Sequence, residues 1–372
     1  MTDRLKIGFD AKRIVRNGTG LGSYGRTLVN DLASYPLELR LYAPDQGRDH
    51  LRQQIRLQEN VRFCYPAPSH LPFSKALWRS KGIVSDLKRD GIQLFHGLSG
   101  ELPIGIHQSG VKSVVTIHDL IFLRHPEFYH WIDTKIYAWK FRKTIQEADH
   151  IIAISACTKR DIMEYGGVDE SKISLIYQSC APKFNCAPSL RQAQGPWSGR
   201  YILSVGSIEK RKNILLAVKA LPYLPEELKL VIVGKHTPYT DEVKAYAEKA
   251  GLSHRIKIMH GVSDEELPRL YAEAEAFVYP SRYEGFGIPI IEAISCGLPV
   301  VACKGSCLEE AGGPDSLYVD PDDAEAMAHA IRQMLRGAEG REKRIENSQQ
   351  YIKRFAGNDV AGQVVELYRS LL

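Results

Sequence analysis

Short apolar runs rich in β-branched residues alternate along the whole chain with longer segments of helical periodicity. Six such runs lie in the first half of the chain and six in the second half. Because strands that alternate with helices form parallel sheets covered on both faces, the pattern predicts an α/β fold with two doubly wound, Rossmann-like domains. The runs are "LKIGFDA", "LRLYAP", "IQLFHG", "VKSVVTIHD", "HIIAIS" and "KISLIYQ", followed by "RYILSVGS", "LKLVIVG", "IKIMHG", "AFVYPS", "PVVAC" and "SLYVD".

The segment between the two series, "CAPSLRQAQGPWSG" (residues 186–199), is polar, contains proline and glycine and has no periodicity. This composition predicts an interdomain linker. A chain of 372 residues also exceeds what one hydrophobic core usually supports. We therefore expect an amino-terminal domain of residues 1–190 and a carboxyl-terminal domain of residues 191–354, with ligands bound in the cleft where the parallel strands end. The last helix, residues 355–372, is expected to cross back onto the first domain.

Charge is distributed unevenly between the two halves. Residues 1–190 contain 26 Lys and Arg against 19 Asp and Glu, whereas residues 191–372 contain 23 against 25. A basic half favours an anionic partner such as a phosphate, lipid head groups or nucleic acid. The chain has no apolar run of the roughly 20 residues that a membrane helix needs and no signal-peptide pattern at its start, so a cytoplasmic location is expected.

Residues 131–148, "WIDTKIYAWKFRKTIQEA", combine aromatic and basic side chains at helical spacing. The first expectation is an amphipathic helix whose aromatic stripe joins the core, and the alternative is a helix that docks on a membrane surface. The aromatic residues are Trp131, Tyr137, Trp139 and Phe141, and the basic ones are Lys135, Lys140, Arg142 and Lys143.

The first apolar run is followed by three glycines in GxGxxG spacing, Gly20, Gly22 and Gly25, with Asp45 twenty positions further on. The spacing imitates a dinucleotide fingerprint, but residues 11–19 separate the strand from the first glycine, which a true fingerprint does not allow. We expect a flexible glycine loop that leads into a helix whose N-terminus can receive an anion. A loop that only requires positive φ angles is the alternative.

Two further strand ends carry residues suited to binding or catalysis. His118 follows "VKSVVTI", where an imidazole can donate a hydrogen bond or shuttle a proton, although a structural histidine is the alternative. "GSIEKRKN" follows the first strand of the second series. There Gly206 allows a tight turn, and a cluster of three cations precedes a helix that Asn213 would cap. Cations at a helix N-terminus suit a diphosphate, with a solvated basic turn as the alternative. The three cations are Lys210, Arg211 and Lys212.

The stretch "YPSRYEGFGIPIIEAISCGLPVV" (residues 279–301) places two acids at a strand–loop–helix junction. Glu284 falls in the loop and Glu292 in the helix, and both are expected to face one crevice. Carboxylates accept two hydrogen bonds and so suit the vicinal hydroxyls of a ribose or a hexose, while Gly285 and Gly287 let backbone N–H groups approach a ligand. A general acid and base pair, as in glycoside hydrolysis, is the alternative.

This stretch resembles the signature of the large family of retaining, nucleotide-sugar-dependent glycosyltransferases called group 1, which have the GT-B fold. The resemblance continues in the family's order through "GLGSYGRTL", "TIHDLIFLRHPEFY", "ISACTKRDI", "VGSIEKRKN", "GVSDEELPRLYAEAEAFVYPS" and "YVDPDD". "RKN" and "HDLIFLRHPE" are most similar to mannosyltransferase-type members. The resemblance implies transfer of a hexose, with GDP-mannose as the favoured donor, to a glycan or lipid-linked glycan acceptor in cell-surface polysaccharide biosynthesis. The basic first half also favours a lipid-linked acceptor and peripheral contact with the membrane.

The resemblance also implies roles for individual residues, with His118, Lys212 and Glu284 as the catalytic ones. Glu292 would bind the donor's ribose, and Glu284 the hydroxyls of the transferred sugar. The other implied donor contacts are Gly20 and Gly22 near the phosphates, Gly206, Ser207, Arg211 and Lys212 at the diphosphate, His260, Gly261 and Val262 beside the base, and Gly285, Phe286, Gly287 and Ile288 at the sugar. Many relatives carry arginine where this chain has Ser207. Arg211 is therefore expected to compensate in binding the phosphates.

The implied chemistry retains the anomeric configuration and requires neither a metal nor a cofactor. Preorganised cations would stabilise the departing phosphate in place of a divalent ion. Asp320 and Asp322 form a DxD pair, which we interpret as a strand end followed by a helix cap. The seven cysteines include no CxxC pair, which argues against a structural zinc site.

Three other functions remain open from the residues alone. A sugar-nucleotide epimerase shares the two-domain architecture. An NAD-dependent dehydrogenase would use the glycines of the GxGxxG segment together with Asp45. A non-enzymatic module that binds carbohydrate or nucleic acid would rely on the basic first half, but it would have no need for two acids beside a phosphate-binding turn, so no nucleic-acid partner is expected.

Overall fold

The computed structural model describes residues 4–68, 73–184, 199–356 and 359–372. The chain divides into two compact units. The first contains the residues up to Tyr177 together with Asp359–Leu372, and the second begins at Gln178 and ends before Asp359. The predicted linker, residues 186–199, lies outside the described residues except for Gly199, and so does the predicted domain boundary at residue 190.

Within the described residues, the first unit contains one sheet of seven parallel strands in the order β3-β2-β1-β4-β5-β6-β7. These strands are β1 (Leu5–Asp10), β2 (Leu37–Tyr42), β3 (Val61–Cys64), β4 (Leu94–Gly97), β5 (Lys112–Ile117), β6 (His150–Ala153) and β7 (Ile173–Leu175).

The described part of the second unit contains one sheet of six parallel strands in the order β10-β9-β8-β11-β12-β13. Its strands are β8 (Tyr201–Val205), β9 (Lys229–Val233), β10 (Ile256–Met259), β11 (Ala276–Tyr279), β12 (Val300–Cys303) and β13 (Leu317–Val319).

The α-helices connect successive strands and lie against the sheets. In the first unit they are α1 (Lys12–Arg16), α2 (Gly20–Leu32), α3 (Asp49–Arg52), α4 (Ser74–Leu77), α5 (Ile83–Arg89), α6 (Ile121–Arg124), α7 (Trp131–Glu147) and α8 (Ala156–Gly166). In the second unit they are α9 (Ile214–Ala220), α10 (Pro238–Lys249), α11 (Glu266–Glu273), α12 (Ile288–Ser295), α13 (Leu308–Gly312), α14 (Ala324–Met334) and α15 (Arg341–Ala356), and α16 (Val360–Leu371) returns to the first unit.

The two parallel, doubly wound sheets confirm the predicted fold class. Each of the twelve predicted apolar runs contains a strand, and β3 is the one strand of the described residues that the sequence pattern missed. That strand lies at the edge of the first sheet and is four residues long. Its second residue, Arg62, is exposed, so the strand lacks the continuous apolar run that marks strands buried on both faces.

The last helix contributes directly to the core of the first unit. Val364, Val365 and Tyr368 of α16 are buried in the same hydrophobic cluster as side chains of β1, β2 and α2. Tyr35 donates a hydrogen bond of 2.5 Å to Asp359 at the start of this helix. The segment expected to form one helix, residues 355–372, therefore comprises the end of α15 and a separate helix, because the chain leaves the second unit between them.

The aromatic stripe of α7 is exposed, and the expectation that it joins the core is wrong. Trp131, Tyr137 and Trp139 are 68%, 40% and 52% exposed, whereas Phe141 is buried. Phe141 and Thr144 are the side chains that the described part of this helix buries. None of the helices in the described part of the chain combines the length and hydropathy of a bilayer-spanning segment.

Candidate functional site

The order of the second sheet places two loops side by side at its carboxyl edge. The chain leaves β8 toward β9 on one side, and it leaves β11 toward β12 on the other side. In open parallel sheets, ligands bind at such a switch point, outside the carboxyl ends of the strands. The two loops here are residues 206–213 after β8 and residues 280–287 after β11.

A close backbone contact fixes the first of these loops. Gly206 has a φ of +148°, and its N–H donates to the carbonyl of Val233 over 2.9 Å. A Cβ at Gly234 would lie 1.9 Å from the carbonyl oxygen of Gly206, so glycine is required for the two backbones to meet. Ser207, half-buried, follows directly.

The three predicted cations form a short 3₁₀ turn, and two of them point toward the neighbouring loop. Lys210 is exposed and lies 3.5 Å from Glu242, whereas Arg211 and Lys212 are half-buried. Asn213 follows in the left-handed region with a φ of +53°. It occupies the predicted N-cap position of α9, but its side chain donates to a carbonyl after β13 and makes no capping bond.

Glu284 accepts bonds from both cations through a single oxygen. Its Oε1 lies 2.6 Å from Lys212 Nζ, 2.9 Å from Arg211 Nη1 and 2.5 Å from the hydroxyl of Ser281. Burial alone would raise the pKa of Glu284, but Lys212 and Arg211 outweigh it and lower the pKa to about 2. Among the described residues, no hydrogen-bond donor reaches Oε2 of Glu284. The carboxylate is thus ionised and has one oxygen available to a ligand.

Tyr279, at the end of β11, completes this cluster. Lys212 Nζ lies 2.6 Å from its hydroxyl and 4.9 Å from the centre of its ring. Burial raises the pKa of Tyr279, and the nearby Glu284 carboxylate raises it further. Tyr279 and Ser281 are not among the site residues predicted from the sequence. Their position between the strand and the acidic loop was the available signal, because residues that follow a strand at a switch point face the ligand crevice.

Glu292 lies one turn into α12 and has a different environment. Tyr271 donates a 2.9 Å hydrogen bond to its Oε2, and no donor among the described residues reaches its Oε1. Burial raises the pKa of Glu292 to about 7, against the lowering effect of the Tyr271 hydroxyl. The rings of Tyr271 and Tyr279 lie 5.4 and 5.7 Å from Phe277, on β11. Each acid is therefore held by a tyrosine that contacts the same phenylalanine.

The segment between the two acids can offer backbone groups to a ligand. Phe286 is buried and packs edge-to-face on Phe355 at 5.3 Å, so its side chain belongs to the core. Gly287 has a φ of +110° and directly precedes α12. Gly285 and Ile288 are half-buried.

His260, Gly261 and Val262 follow β10 at the same edge of the sheet. His260 is exposed, and its Nδ1 donates a 2.6 Å hydrogen bond to the carbonyl of Gly234, the residue that also approaches Gly206. Gly261 is exposed with a φ of +66°, and Val262 is half-buried. The structure thus places the residues predicted for the base and for the diphosphate around one glycine.

His118 lies in the first unit, just after β5. Burial lowers its pKa to about 4, so the ring is neutral near pH 7, although a hydrogen bond to Leu98 opposes the shift. Nε2 lies 2.9 Å from the carbonyl of Leu98, and because a carbonyl only accepts, Nε2 carries the proton. The edge of the Tyr24 ring packs against the imidazole at 4.8 Å.

A buried hydrogen-bonded chain connects the neighbourhood of His118 with the last helix. Tyr24 contacts the hydroxyl of Thr116 at 3.2 Å, and Thr116 contacts His96 Nε2 at 2.8 Å. His96 Nδ1 in turn lies 2.6 Å from the hydroxyl of Tyr368 on α16. This hydrogen-bonded network could not be predicted from the sequence, because Tyr24 and Tyr368 are separated by more than 300 residues.

The GxGxxG segment is helical, so the expectation of a flexible glycine loop is wrong. Gly20, Gly22 and Gly25 all lie inside α2, and none has a positive φ, which also excludes the alternative. A Cβ at Gly22 would lie 1.9 Å from the carbonyl oxygen of Asn17, which also accepts a hydrogen bond from Arg26. Gly22 therefore serves a close backbone contact.

The remaining acids singled out from the sequence are bound to cations. Asp45 pairs with Arg16 and, at 3.1 Å, with Lys75. In the DxD segment, Asp320 lies 3.6 Å from Lys304 and Asp322 pairs with Arg282. The helix cap predicted there is the next residue, Asp323, which accepts a 2.8 Å bond from the N–H of Ala326. In the described ranges, no three His, Cys, Asp or Glu side chains group as metal ligands.

Comparison with known proteins connects both units with one class of enzyme. Residues 190–351 match the family described as glycosyl transferases group 1, and residues 18–180 match glycosyltransferase family 4. The O-antigen chain mannosyltransferase B of Escherichia coli is 30% identical over 401 aligned positions, which cover 99% of this chain and all of that protein.

Solved structures show the same fold at lower identity. Sucrose-phosphate synthase from Thermosynechococcus elongatus superposes with a TM-score of 0.79 at 21% identity, over 99% of each chain. Anabaena HepE, solved in complex with UDP, superposes with a TM-score of 0.76 at 18% identity, over 99% of this chain and all of that chain. The folds agree with the predicted GT-B class, and the family matches together span most of the sequence. The chain belongs to the group 1 glycosyl transferases.

Proposed function

We propose that this glycosyltransferase moves a hexose, mannose in the first instance, from a nucleotide-diphosphate sugar to a glycan or lipid-linked glycan, with retention of configuration and without a metal ion. The observation that carries the proposal is the cluster of Arg211, Lys212 and Glu284 at the switch point of the second sheet. The two cations suit the diphosphate of such a donor, and the ionised acid suits the hydroxyl groups of its sugar.

The two acids suit hydroxyl groups because each keeps one oxygen for a ligand. Oε2 of Glu284 and Oε1 of Glu292 have no donor among the described residues, whereas the opposite oxygen of each is held by the protein. A carboxylate oxygen fixed in this way accepts a hydrogen bond from a sugar hydroxyl without first having to be ordered. Glu284 would take the hexose, and Glu292 would take the ribose.

Arg211 and Lys212 would stabilise the leaving nucleotide. Negative charge develops on the β-phosphate as the glycosidic bond breaks, and preorganised cations act most strongly where charge develops. Both cations already contact Glu284, so a bound diphosphate would share them with that carboxylate. The acceptor hydroxyl would attack from the same face and lose its proton to the departing phosphate.

Support for mannose comes from the relative that matches the whole chain, the O-antigen chain mannosyltransferase B. GDP-mannose is accordingly the first donor to test, and a lipid-linked glycan of a cell-surface polysaccharide is the first acceptor. Metal independence is supported by Asp320 and Asp322, which are bound to Lys304 and Arg282. The roles of His118, Gly20 and Gly22, which lie in the first unit, stay predictions.

A thermal-shift screen of nucleotide sugars tests the donor. A ligand that binds only the folded state raises the melting temperature, so GDP-mannose should give a larger shift than UDP-glucose or NAD. Glu292→Gln should reduce the shift for GDP and GDP-mannose alike, whereas Glu284→Gln should reduce it mainly for GDP-mannose. A shift with NAD alone would support a dehydrogenase, and conversion of the donor without an acceptor would support an epimerase.

Turnover measurements test the chemistry. The anomeric one-bond carbon–hydrogen coupling in the product's NMR spectrum should match the configuration of the donor sugar. Added EDTA should leave the rate unchanged. An inverted product would exclude the retaining mechanism, and activity that EDTA removes and magnesium restores would exclude metal independence.

The exposed face of α7 supports peripheral contact with the inner face of a membrane. Trp131, Ile132, Ile136 and Trp139 are about half exposed or more, and Lys135 lies 4.8 Å above the Trp131 ring. Aromatic and basic side chains on one helix suit the interface of an anionic bilayer. The protein should sediment with phosphatidylglycerol vesicles, and Ile132→Asp combined with Ile136→Asp should abolish sedimentation. Unchanged binding of this variant would exclude α7 as the contact.

A further inference from the structure

A cavity of the first unit lies at the switch point of its own sheet. The chain leaves β1 toward β2 and leaves β4 toward β5, so the loops after β1 and β4 diverge there. Asp10 at the end of β1 and Glu101 beyond β4 both line the cavity, whose volume is about 730 Å³. This volume lies within the range of roughly 300–1,000 Å³ that is typical of small-molecule sites.

One side of the cavity is apolar and reaches the surface. Phe73 and Leu77 are 86% and 68% exposed, and Ile104 and Trp139 also line the cavity with partly exposed side chains. Large apolar side chains that are exposed together mark a surface that another molecule covers.

The other side is basic. Six Lys or Arg side chains line the cavity, against two acids. Arg79 bridges Asp10 and Glu101, and Lys140 lies 3.0 Å from Glu101, so these charges compensate one another. The excess positive charge therefore comes from the other four cations. These are Lys12, Arg16, Lys75 and Lys143.

Of these four cations, two form an ion pair with an acid and two do not, within the described residues. Arg16 and Lys75 pair with Asp45. Lys12 and Lys143 make no ion pair with any acid of the described residues. Burial lowers the pKa of Lys12, and the neighbouring Arg79 lowers it further. An anion next to Lys12 would stabilise its charged form and raise this pKa.

We propose that this cavity binds a lipid phosphate, with the phosphate at Lys12 and Lys143 and the start of the hydrocarbon chain along Phe73, Leu77 and Trp139. Charge complementarity favours the phosphate, and the exposed apolar wall favours the chain. The inference rests on the proposed function, because the lipid phosphate is the anchor of the lipid-linked acceptor. It adds a recognition site for the anchor that is separate from any site for the glycan.

The test is calorimetric titration of the full-length protein with farnesyl diphosphate in saturating GDP, which blocks diphosphate binding in the second unit. Farnesyl diphosphate should bind, and inorganic pyrophosphate should bind at least tenfold more weakly. Lys12→Ala and Lys143→Ala should each weaken farnesyl diphosphate roughly tenfold, as expected for a charge-assisted hydrogen bond of about 1.5 kcal/mol. Lys81→Ala, an exposed lysine outside the cavity, is the matched control and should have no effect.

The apolar wall is tested with a second matched pair. Leu77→Asp should weaken farnesyl diphosphate about tenfold or more, because the carboxylate repels the ligand and removes apolar contact. Leu57→Asp changes a leucine that is equally exposed, at 65%, but lies outside the cavity, and it should have no effect. Because both side chains are exposed, both variants should keep the wild-type melting temperature.

The possible results separate this inference from the proposed function. No binding of farnesyl diphosphate, equal binding of pyrophosphate, or unchanged affinity in Lys12→Ala and Leu77→Asp would each overturn it. If mannosyl transfer to a lipid-free glycan proceeds while farnesyl diphosphate does not bind, only this inference fails. If farnesyl diphosphate binds as expected but no nucleotide sugar does, the inference holds for lipid phosphate and the proposed function fails.

Discussion

The two units share one strand order over six strands, to which the first unit adds β7 at the edge, but they differ in what lines the carboxyl edge of each sheet. In the second unit the edge is polar, because Arg211 and Lys212 both form an ion pair with one oxygen of Glu284. In the first unit the corresponding edge encloses about 730 Å³ between an apolar wall and two lysines, Lys12 and Lys143, that pair with no acid of the described residues. The comparison shows that the fold fixes where a ligand binds, whereas the loop residues fix which chemistry is bound.

The largest effect is expected at the polar edge. Lys212→Ala should lower kcat by a factor of about 10²–10³, as for the loss of one preorganised donor to a developing negative charge. The pKa of Glu284 should rise at the same time, because Lys212 is the principal group that lowers it. Steady-state kinetics measure the first effect.

Lys210→Ala is the control for this prediction, because Lys210 belongs to the same turn but is exposed and lies near Glu242. It should leave kcat within about twofold of the wild type, as is usual for an exposed ion pair. Equal losses of kcat in the two variants would show that the turn acts only through its net charge. The polar edge would then owe its effect to charge and not to the fixed positions of Arg211 and Lys212.

The glycines give the next largest effect, on stability. Gly22→Ala should lower the free energy of unfolding by about 3 kcal/mol, because its Cβ would lie 1.9 Å from the carbonyl oxygen of Asn17. Gly20→Ala meets no atom within 4 Å and should raise stability by up to about 1 kcal/mol. Chemical denaturation measures both values. If Gly20→Ala is stable but inactive, Gly20 has the ligand role that the family resemblance implies.

A pH effect should distinguish the two acids of the second unit. Burial raises the pKa of Glu292 to about 7 in the folded protein. Its contribution to stability therefore decreases as the pH rises from the pKa of the unfolded state toward 7. Below pH 7 the proton on Glu292 also competes with the hydrogen bond from a ligand hydroxyl. Between about pH 6 and pH 8, GDP affinity should rise roughly tenfold more in the wild type than in Glu292→Gln.

Glu284 provides the internal control. With a pKa of about 2 it stays ionised over this range, so Glu284→Gln should keep the wild-type slope of affinity against pH. Calorimetry at several pH values measures both slopes. Identical slopes in the wild type and in Glu292→Gln would mean that Glu292 does not titrate on nucleotide binding.

The smallest effect is expected at the buried chain of the first unit. Tyr368→Phe removes the hydrogen bond to His96 and should lower the free energy of unfolding by about 1–2 kcal/mol. Thermal denaturation measures this loss. An additional change in kcat at unchanged KM would show that α16 also influences the neighbourhood of His118, whereas a loss of stability alone would assign Tyr368 to packing.

Sequence reasoning was most reliable where a property is local. The alternation of apolar runs with helical segments predicted both parallel sheets, and β3 was missed because it is short and lies at an edge. Predictions from the sequence failed where contacts with residues distant in the sequence determine the local structure or burial. The spacing of Gly20 and Gly22 predicted a loop, but both glycines lie inside α2, where Gly22 packs against the backbone of Asn17. The aromatic stripe of α7 predicted burial, but Trp131, Tyr137 and Trp139 are exposed.

The sequence by itself determined the fold class, the family and the positions of Glu284 and Glu292 near strand ends, because apolar periodicity and motif spacing are carried by the chain alone. Only the tertiary structure decided that Arg211 and Lys212 meet on one oxygen of Glu284, whereas burial raises the pKa of Glu292 to about 7. The physical reason is that ionisation depends on the burial and the charges around each group. These come from segments that are distant in the sequence and meet only when the sheets form.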